Sequence, residues 1–450
     1  MYLSRICDFL WSGPILLLLL SSHLFLTFKF FPQRKLFYAL KLSVRPEDDK
    51  MTDSGTGGTP EKQTHGMNGF QALATTLAAT LGTGNIVGVS TAIALGGPGA
   101  LFWCFLTGLL GMATAYCECY LSCLFQKRNP DGTRTGGPMY VMELGLCKKS
   151  AGKFYALLVT LSAFGIGCTT QVAAMADAAY STWHLSPHII GVAAAVLVGM
   201  IILGGVKSIG TFCSKMVPPL SLLYMLACTY LIWCNRSYLP AAAALILSSA
   251  FNFKSCAGGL IGSAFFVAAR YGIARGLFTN EAGIGTSAIA AGGAGTDHPM
   301  RQALISMTAV FWDTIVMCTL TGFTILTAML SHPGCTRGYT EAGYTNAAFS
   351  LFPFFGNEFL TISLIAFALA TLVGWCYLGE QGFVYFFGKD FCQAYHLLYI
   401  VMIYIGAILP MSLVFHLTDF INALMVFPNV LTLFLLHKKI KSPNSQNLPK

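Results

Sequence analysis

Hydrophobic positions along the chain gather into long apolar runs separated by short polar clusters. A helix needs about 20 apolar residues to cross a hydrocarbon layer. Eleven runs of that kind stand at 10–28, 68–92, 100–124, 154–178, 187–204, 217–235, 257–279, 302–330, 357–379, 393–412 and 416–436. They predict an all-α polytopic membrane protein with about 11 transmembrane helices. The first run is followed directly by Lys29 and lacks a small-residue cleavage site, so it reads as a helix rather than a signal peptide. After it, the segment 45–66, with its run MTDSGTGGTPEKQTHG, is the one stretch that reads as a flexible linker. The expected organisation is an extra, peripheral N-terminal helix and linker over 1–66, a ten-helix working core over 67–437 and a basic tail over 438–450.

Composition agrees with the runs. Only 10% of the 450 residues are charged, 55% are hydrophobic, and mean hydropathy is +0.65. That mixture cannot cover a water-facing surface, which excludes a soluble enzyme and a disordered chain. The formal net charge of +9 suggests nucleic acid only until the basic residues are placed. They cluster between the runs, and no nucleic-acid-binding motif accompanies them. With the N-terminus outside, the inner segments hold 22 Lys and Arg and the outer ones four (Arg5, Arg236, Lys254 and Arg337), Arg270 lying within a span. The positive-inside rule then puts the C-terminus in the cytoplasm and the protein in the cell membrane.

Two runs make poor continuous helices. The first holds Gly82, Gly84 and Gly88, three glycines in seven residues, each costing about 1 kcal/mol relative to alanine. The second holds Gly258, Gly259 and Gly262, then Gly272, Gly276, Gly283 and Gly285. Glycines also permit close helix packing, and Gly84 and Gly88 fit that spacing. The two interruptions, however, lie five helices apart. Paired interruptions in corresponding places of two halves point to an inverted-repeat transporter. Unwound backbone in lipid is tolerable only where it lines a buried site, its amides suiting a carboxylate and its carbonyls a cation. Cys117, Cys119 and Cys123 crowd one helix without a nearby histidine and read as packing. Glu118, Asp177, Asp313, Glu380 and Asp419 lie in or at the ends of spans, where charge is costly and often functional.

The stretches Gly82-Thr83-Gly84-Asn85-Ile86, GGPGALFW at 96–103, Gly111-Met112-Ala113-Thr114, Asp131-Gly132, Gly136-Gly137-Pro138-Met139-Tyr140, Arg275–Gly283 and Asp313-Thr314-Ile315 resemble the alanine or glycine:cation symporter family, in its order, from about 10 to 437. The resemblance implies sodium-coupled uptake of alanine or glycine through a five-plus-five inverted-repeat fold. It assigns the substrate to Thr83, Gly84 and Asn85 in the unwound turn, to Gln171, to Gly262 and to Trp375, which walls the side-chain end. It assigns sodium to the backbone carbonyls of Ala78, Leu81 and Phe367 with the Thr371 hydroxyl. Thr371 and Trp375, four apart, face the same way. The sequence departs from the family pattern at Cys104-Phe105, Ala115, Cys168, Ala173 and Ala370, the last where a second sodium-binding hydroxyl could stand. Proton coupling, with Glu118 as relay, is the alternative chemistry.

A membrane enzyme needs clustered catalytic or metal-binding groups, and the nine histidines are scattered. A channel needs a repeated filter or a charged ring, and neither is present. The expected partners are a small neutral amino acid, a sodium ion as co-transported cargo and the lipid bilayer. No cofactor and no nucleic acid are expected, and the working unit is a monomer.

Overall fold

The structure, a computed structural model, describes residues 9–443 except 12, 45–65, 131, 253–263, 354 and 410, with the side chains of 411–417 also outside the description. The expected linker, Asp131 and Gly262 therefore lie outside the described residues. The chain is helical almost throughout. Backbone hydrogen bonds that cannot be made to lipid must be closed within the segment.

Helix α1 (Pro14–Phe30) and the short α2 (Leu36–Val44) precede the linker. Helix α3 (Gly69–Thr80) starts on a capping box, in which Asn68 and Gln71 exchange side-chain and backbone hydrogen bonds. A π-turn at Gly84–Gly88 leads into α4 (Val89–Gly96), and the two parts are bent by 51°. There follow α5 (Ala100–Leu124), α6 (Lys149–Phe164), α7 (Thr170–Trp183), α8 (Pro187–Ile202), α9 (Gly205–Cys234) and α10 (Leu239–Ala250). The second half holds α11 (Ala264–Asn280), α12 (Thr286–Gly292), α13 (Pro299–Val310), α14 (Thr319–Ser331), α15 (Gly356–Phe387), α16 (Cys392–Ile408) and α17 (Met411–Leu436). Among the described residues, eight helices are long and apolar enough to span a membrane, and the bent α3–α4 pair makes a ninth.

The halves repeat one plan. Each begins with a broken helix, α3–α4 and α11–α12, and each places a long span third, Lys149–Trp183 and Gly356–Phe387. Helices α3–α5 and α11–α14 pack into one group, and α6–α8 with α15–α16 into another. The two groups meet where α15 crosses α3. Three differences from the sequence expectation have simple causes. Helix α9 continues through Lys207 and Lys215, because the basic residues sit on exposed turns without breaking the helix. Helix α15 runs on to Phe387, past the last strongly apolar run. Helix α10, only 12 residues long, is too short to register as a span.

Helix α1 is less peripheral than expected. It packs on α5 and α17. His23 Nδ1 lies 2.7 Å from Thr114 Oγ1, and the Trp11 indole N–H donates to the Asp419 carbonyl (3.0 Å). Leu19 closes directly on Gly283 in the second break, where a Cβ would meet it at 2.2 Å. Outside the spans, a two-stranded hairpin of β1 (Lys127–Arg128) and β2 (Arg134–Thr135) is tied to the segment after α12. The buried Arg134 donates to the Thr296 carbonyl (2.6 Å) and pairs with Asp297 (2.8 Å), which Arg128 also contacts (2.8 Å). Burial pushes the Asp297 carboxyl up, but its hydrogen bonds and charge contacts with Arg134 and Arg128 outweigh this and hold it below its ordinary range.

Candidate substrate and cation site

Helix α3 ends because Gly82 and Gly84 flank a turn that Leu81 enters with non-helical backbone, ψ 85°. The turn is stitched by Asn85. Its side-chain oxygen accepts from the Gly82 N–H (3.2 Å), while its amide donates to the Asp313 carboxylate (2.7 Å) and carbonyl (3.1 Å). Asp313 lies in a π-helical stretch, Phe311–Cys318, between α13 and α14. A buried carboxylate costs several kcal/mol unless it is hydrogen-bonded, and Asn85 and Thr314 (2.8 Å) supply those bonds. The N–H groups that begin the next helical turn, from Thr83 onward, form a positive end.

The second break is built differently. Glu281 sits in the left-handed region at φ 54°, rare for a residue with a side chain, and Gly283 and Gly285 follow at φ 98° and 96°. Asn280 accepts from the Ala282 N–H (3.0 Å), and the Glu281 carboxylate accepts from the Thr286 hydroxyl (2.6 Å). Glu118, from α5, accepts from the Gly283 N–H (3.0 Å) and from the Asn429 amide. This pair of contacts pins α5 and α17 to the break.

Between the two breaks and the second helix group lies a tight cavity, with only about 10 Å³ of free volume. The broken helices contribute Ala79, Thr80, Gly82, Gly84, Phe278, Thr279 and Glu281 to its lining. The other group contributes Ile166, Gln171 and Trp375. A π-turn at Gly165–Thr169 carries Ile166 and leads into Gln171, while Trp375 comes from α15. The Gln171 amide donates to the Ile166 carbonyl (3.0 Å), which leaves its side-chain oxygen buried with no hydrogen-bond partner. That oxygen faces the unwound turn, 3.2 Å from where a Gly82 Cβ would stand. An orphaned buried acceptor is costly and suits an incoming donor such as an ammonium group. Trp375 is fully buried and rests on Gly167, whose Cβ would fall 2.3 Å from the Trp375 Cβ. Its indole N–H lies beside the Glu281 carboxyl without making a hydrogen bond of ordinary geometry.

Behind the cavity three oxygens converge. The Thr371 hydroxyl lies 3.4 Å from the Leu81 carbonyl, at the end of α3, and 3.0 Å from the Phe367 carbonyl one turn back on α15. The same hydroxyl would stand 2.8 Å from a Gly82 Cβ, so only glycine fits there. Carbonyl and hydroxyl oxygens without fixed charge form a donor set suited to a hard cation.

The expected residues thus divide. Leu81, Phe367 and Thr371 come together, and Ala78 lies one turn before Leu81, its backbone against Gly374 on α15. Gly84, Gln171 and Trp375 line the cavity, and Thr83 stands between the two lining glycines. Asn85 turns away to Asp313, which no spacing in the sequence predicts. Glu118 holds Gly283 and Asn429 rather than lining the cavity. Ile166, Phe278, Thr279 and Glu281 were not expected as lining. Glu281 stands in a recognisable motif, but its left-handed backbone is visible only in three dimensions. Cys119 and Cys123 contact Ser287 and the Ala291 carbonyl, as packing residues do.

A model of the sodium:alanine symporter family matches residues 1–446. "Sodium/alanine symporter AgcS" of Methanococcus maripaludis is 40% identical over 436 residues, spanning 95% of this chain and 93% of that one. "Probable sodium/glutamine symporter GlnT" of Bacillus subtilis is 35% identical over 440 residues, spanning 96% and 87%. Among solved structures, a substrate-bound, outward-open Na+-coupled sialic acid symporter overlays with a TM-score of 0.58 at 13% identity, covering 92% of this chain and 87% of that one. The fold is therefore the five-plus-five inverted repeat of membrane transporters. The chain belongs to the sodium:alanine symporter family, and it is a multi-pass, cation-coupled amino-acid transporter rather than an enzyme.

Proposed function

We propose that the chain imports a small neutral amino acid, alanine or glycine, together with sodium, by alternating access. The observation that carries this is the convergence of Thr371, Leu81 and Phe367 directly behind the unwound turn that lines the cavity. A cation there touches both helix groups, so it binds best when they close and shifts the conformational equilibrium. The substrate carboxylate is taken by the N–H groups at Thr83 and Gly84, and its ammonium by the Gln171 oxygen. Gly262, on the segment before α11, belongs to the same proposed set. The cavity is tight. Trp375, Phe278 and Ile166 close it, which supports a short side chain. The relative named for alanine supports the same reading, while the relative named for glutamine marks the longer side chain to test against it. The 22-to-4 distribution of basic residues supports a cytoplasmic C-terminus.

Uptake of radiolabelled alanine into proteoliposomes, with and without an inward sodium gradient, tests the proposal. Accumulation only with the gradient is expected, and equal accumulation without it refutes sodium coupling. A second reading is proton coupling, and the observation favouring it is Glu281, a carboxyl on the cavity wall. Sodium-free uptake that rises on acidifying the outside and disappears in Glu281→Gln would establish that reading instead.

A further inference from the structure

Glu380, Cys392 and His396 bring three different ligand atoms together at the end of the bundle that carries Lys149 and Lys389, away from the substrate cavity. Cys392 and His396 are four apart on the first turns of α16, so their side chains share one face. Glu380 reaches them from α15. Its carboxylate lies 2.9 Å from His396 Nε2, and Cys392 Sγ lies 3.8 Å from the same nitrogen. All three atoms fall within 4.8 Å of one another. In tetrahedral zinc the ligand atoms stand roughly 3.2–3.7 Å apart, from metal–ligand distances of about 2.0–2.3 Å. The observed separations bracket that range, so small rotations seat an ion. Glu380 and His396 are buried, while Cys392 is half-exposed and leaves an approach from the surface.

We propose that these three side chains form a transition-metal site fitted to Zn2+, with one position open to water, which ties α15 to α16. A thiolate, an imidazole and a carboxylate together suit a borderline-soft divalent ion and not sodium or magnesium. On binding, a Zn–S bond forms as the Cys392 thiol proton leaves to solvent, and the proton held between His396 Nε2 and the Glu380 carboxylate also leaves to solvent, so that the nitrogen and a carboxylate oxygen each ligate the ion. No oxidant or reductant is involved. Thr371 and Trp375 lie on the same helix as Glu380, so the metal secures the helix that carries them.

The test uses the purified full-length chain in detergent under reducing conditions, with Co2+ as spectroscopic probe and Zn2+ as competitor. One Co2+ per chain is expected, with a thiolate-to-cobalt charge-transfer absorption that Zn2+ abolishes. The band should persist when the exposed Cys147 and Cys234 are both changed to Ser, and vanish in Cys392→Ser. His396→Asn should weaken Zn2+ binding by at least about tenfold. Each variant is first checked for an unchanged melting temperature without metal. A wild type with no such band, or a band that survives Cys392→Ser, overturns the site and leaves a plain Glu380–His396 ion pair.

Discussion

The Thr371 hydroxyl stands 3.4 Å from the Leu81 carbonyl, so a single side-chain oxygen on α15 bridges to the residue that caps α3 at the first break. Thr371→Ala should remove that oxygen together with one methyl group. Hydrogen bonds and ligands to charged groups are worth about 1.5–3 kcal/mol. The sodium concentration giving half-maximal uptake should therefore rise about tenfold or more, and Thr371→Ser should restore it. An unchanged sodium dependence in Thr371→Ala would remove this residue from the cation site.

Trp375 lies on the cavity wall with Gly167 at its back. Trp375→Ala should enlarge the cavity, so that glutamine competes with alanine uptake better than it does in wild type. Discrimination by side-chain size is worth only ~1–3 kcal/mol, so a change of about 10-fold in relative inhibition is expected. Gly167→Ala should act in the opposite sense. Its Cβ would strike the Trp375 Cβ, close to the backbone and unable to swing aside, destabilising the protein by about 1–3 kcal/mol. Competition profiles identical in wild type and Trp375→Ala would rule out the wall.

Asn85 joins the first break to Asp313. Asn85→Asp places two buried carboxylates in direct contact, which cannot both stay ionised. Folded yield in detergent should fall sharply, and Asn85→Ala should be nearly as damaging because Asp313 loses its donor. Removing a donor from a buried charged group costs roughly 3–5 kcal/mol. Size-exclusion yield and melting temperature measure this, and wild-type values in both variants would contradict the bridge.

The Arg134–Asp297–Arg128 cluster gives a pH signature outside the membrane. Because the folded carboxyl lies below its unfolded value, its contribution is complete above the unfolded value of about 4 and is lost as pH falls through the folded value. Asp297 is largely exposed, so the contribution is limited to about 1 kcal/mol or less. The melting temperature of wild type should exceed that of Asp297→Asn slightly at neutral pH and converge with it at strongly acidic pH. Arg134→Ala should cost more, since it also removes one of the two hydrogen bonds to the Thr296 carbonyl and leaves only the one from Gln126. A gap that widens on acidification would reverse the assigned sign.

The spans and the two breaks were legible in the sequence because they rest on local properties, namely apolar length and clustered glycine. The triad of Leu81, Phe367 and Thr371 was legible only through the resemblance. Nothing in the spacing brings residue 81 to residue 371. Asn85 was expected in the substrate set because its motif says that it matters and not which way its side chain points. Its actual partner, Asp313, is 228 positions away, and only the packing of one helix group against itself defines that contact. Glu281 was overlooked for a related reason. Its left-handed backbone is imposed by the turn around it, not by any preference of glutamate.

The bond from Trp11 to the Asp419 carbonyl spans 408 positions of sequence. A chain made from its N-terminus delivers α1 to the bilayer long before α17. The segment that leads into α1 therefore waits through most of synthesis before this partner exists, the Trp11 indole N–H without its carbonyl meanwhile. Helix α1 also closes on Gly283, so the second break acquires its final surroundings only when the earliest and latest helices are both present. Assembly around the second break is thereby tied to synthesis of α17, and a chain that stops before α17 lacks the contact that seats the segment leading into α1.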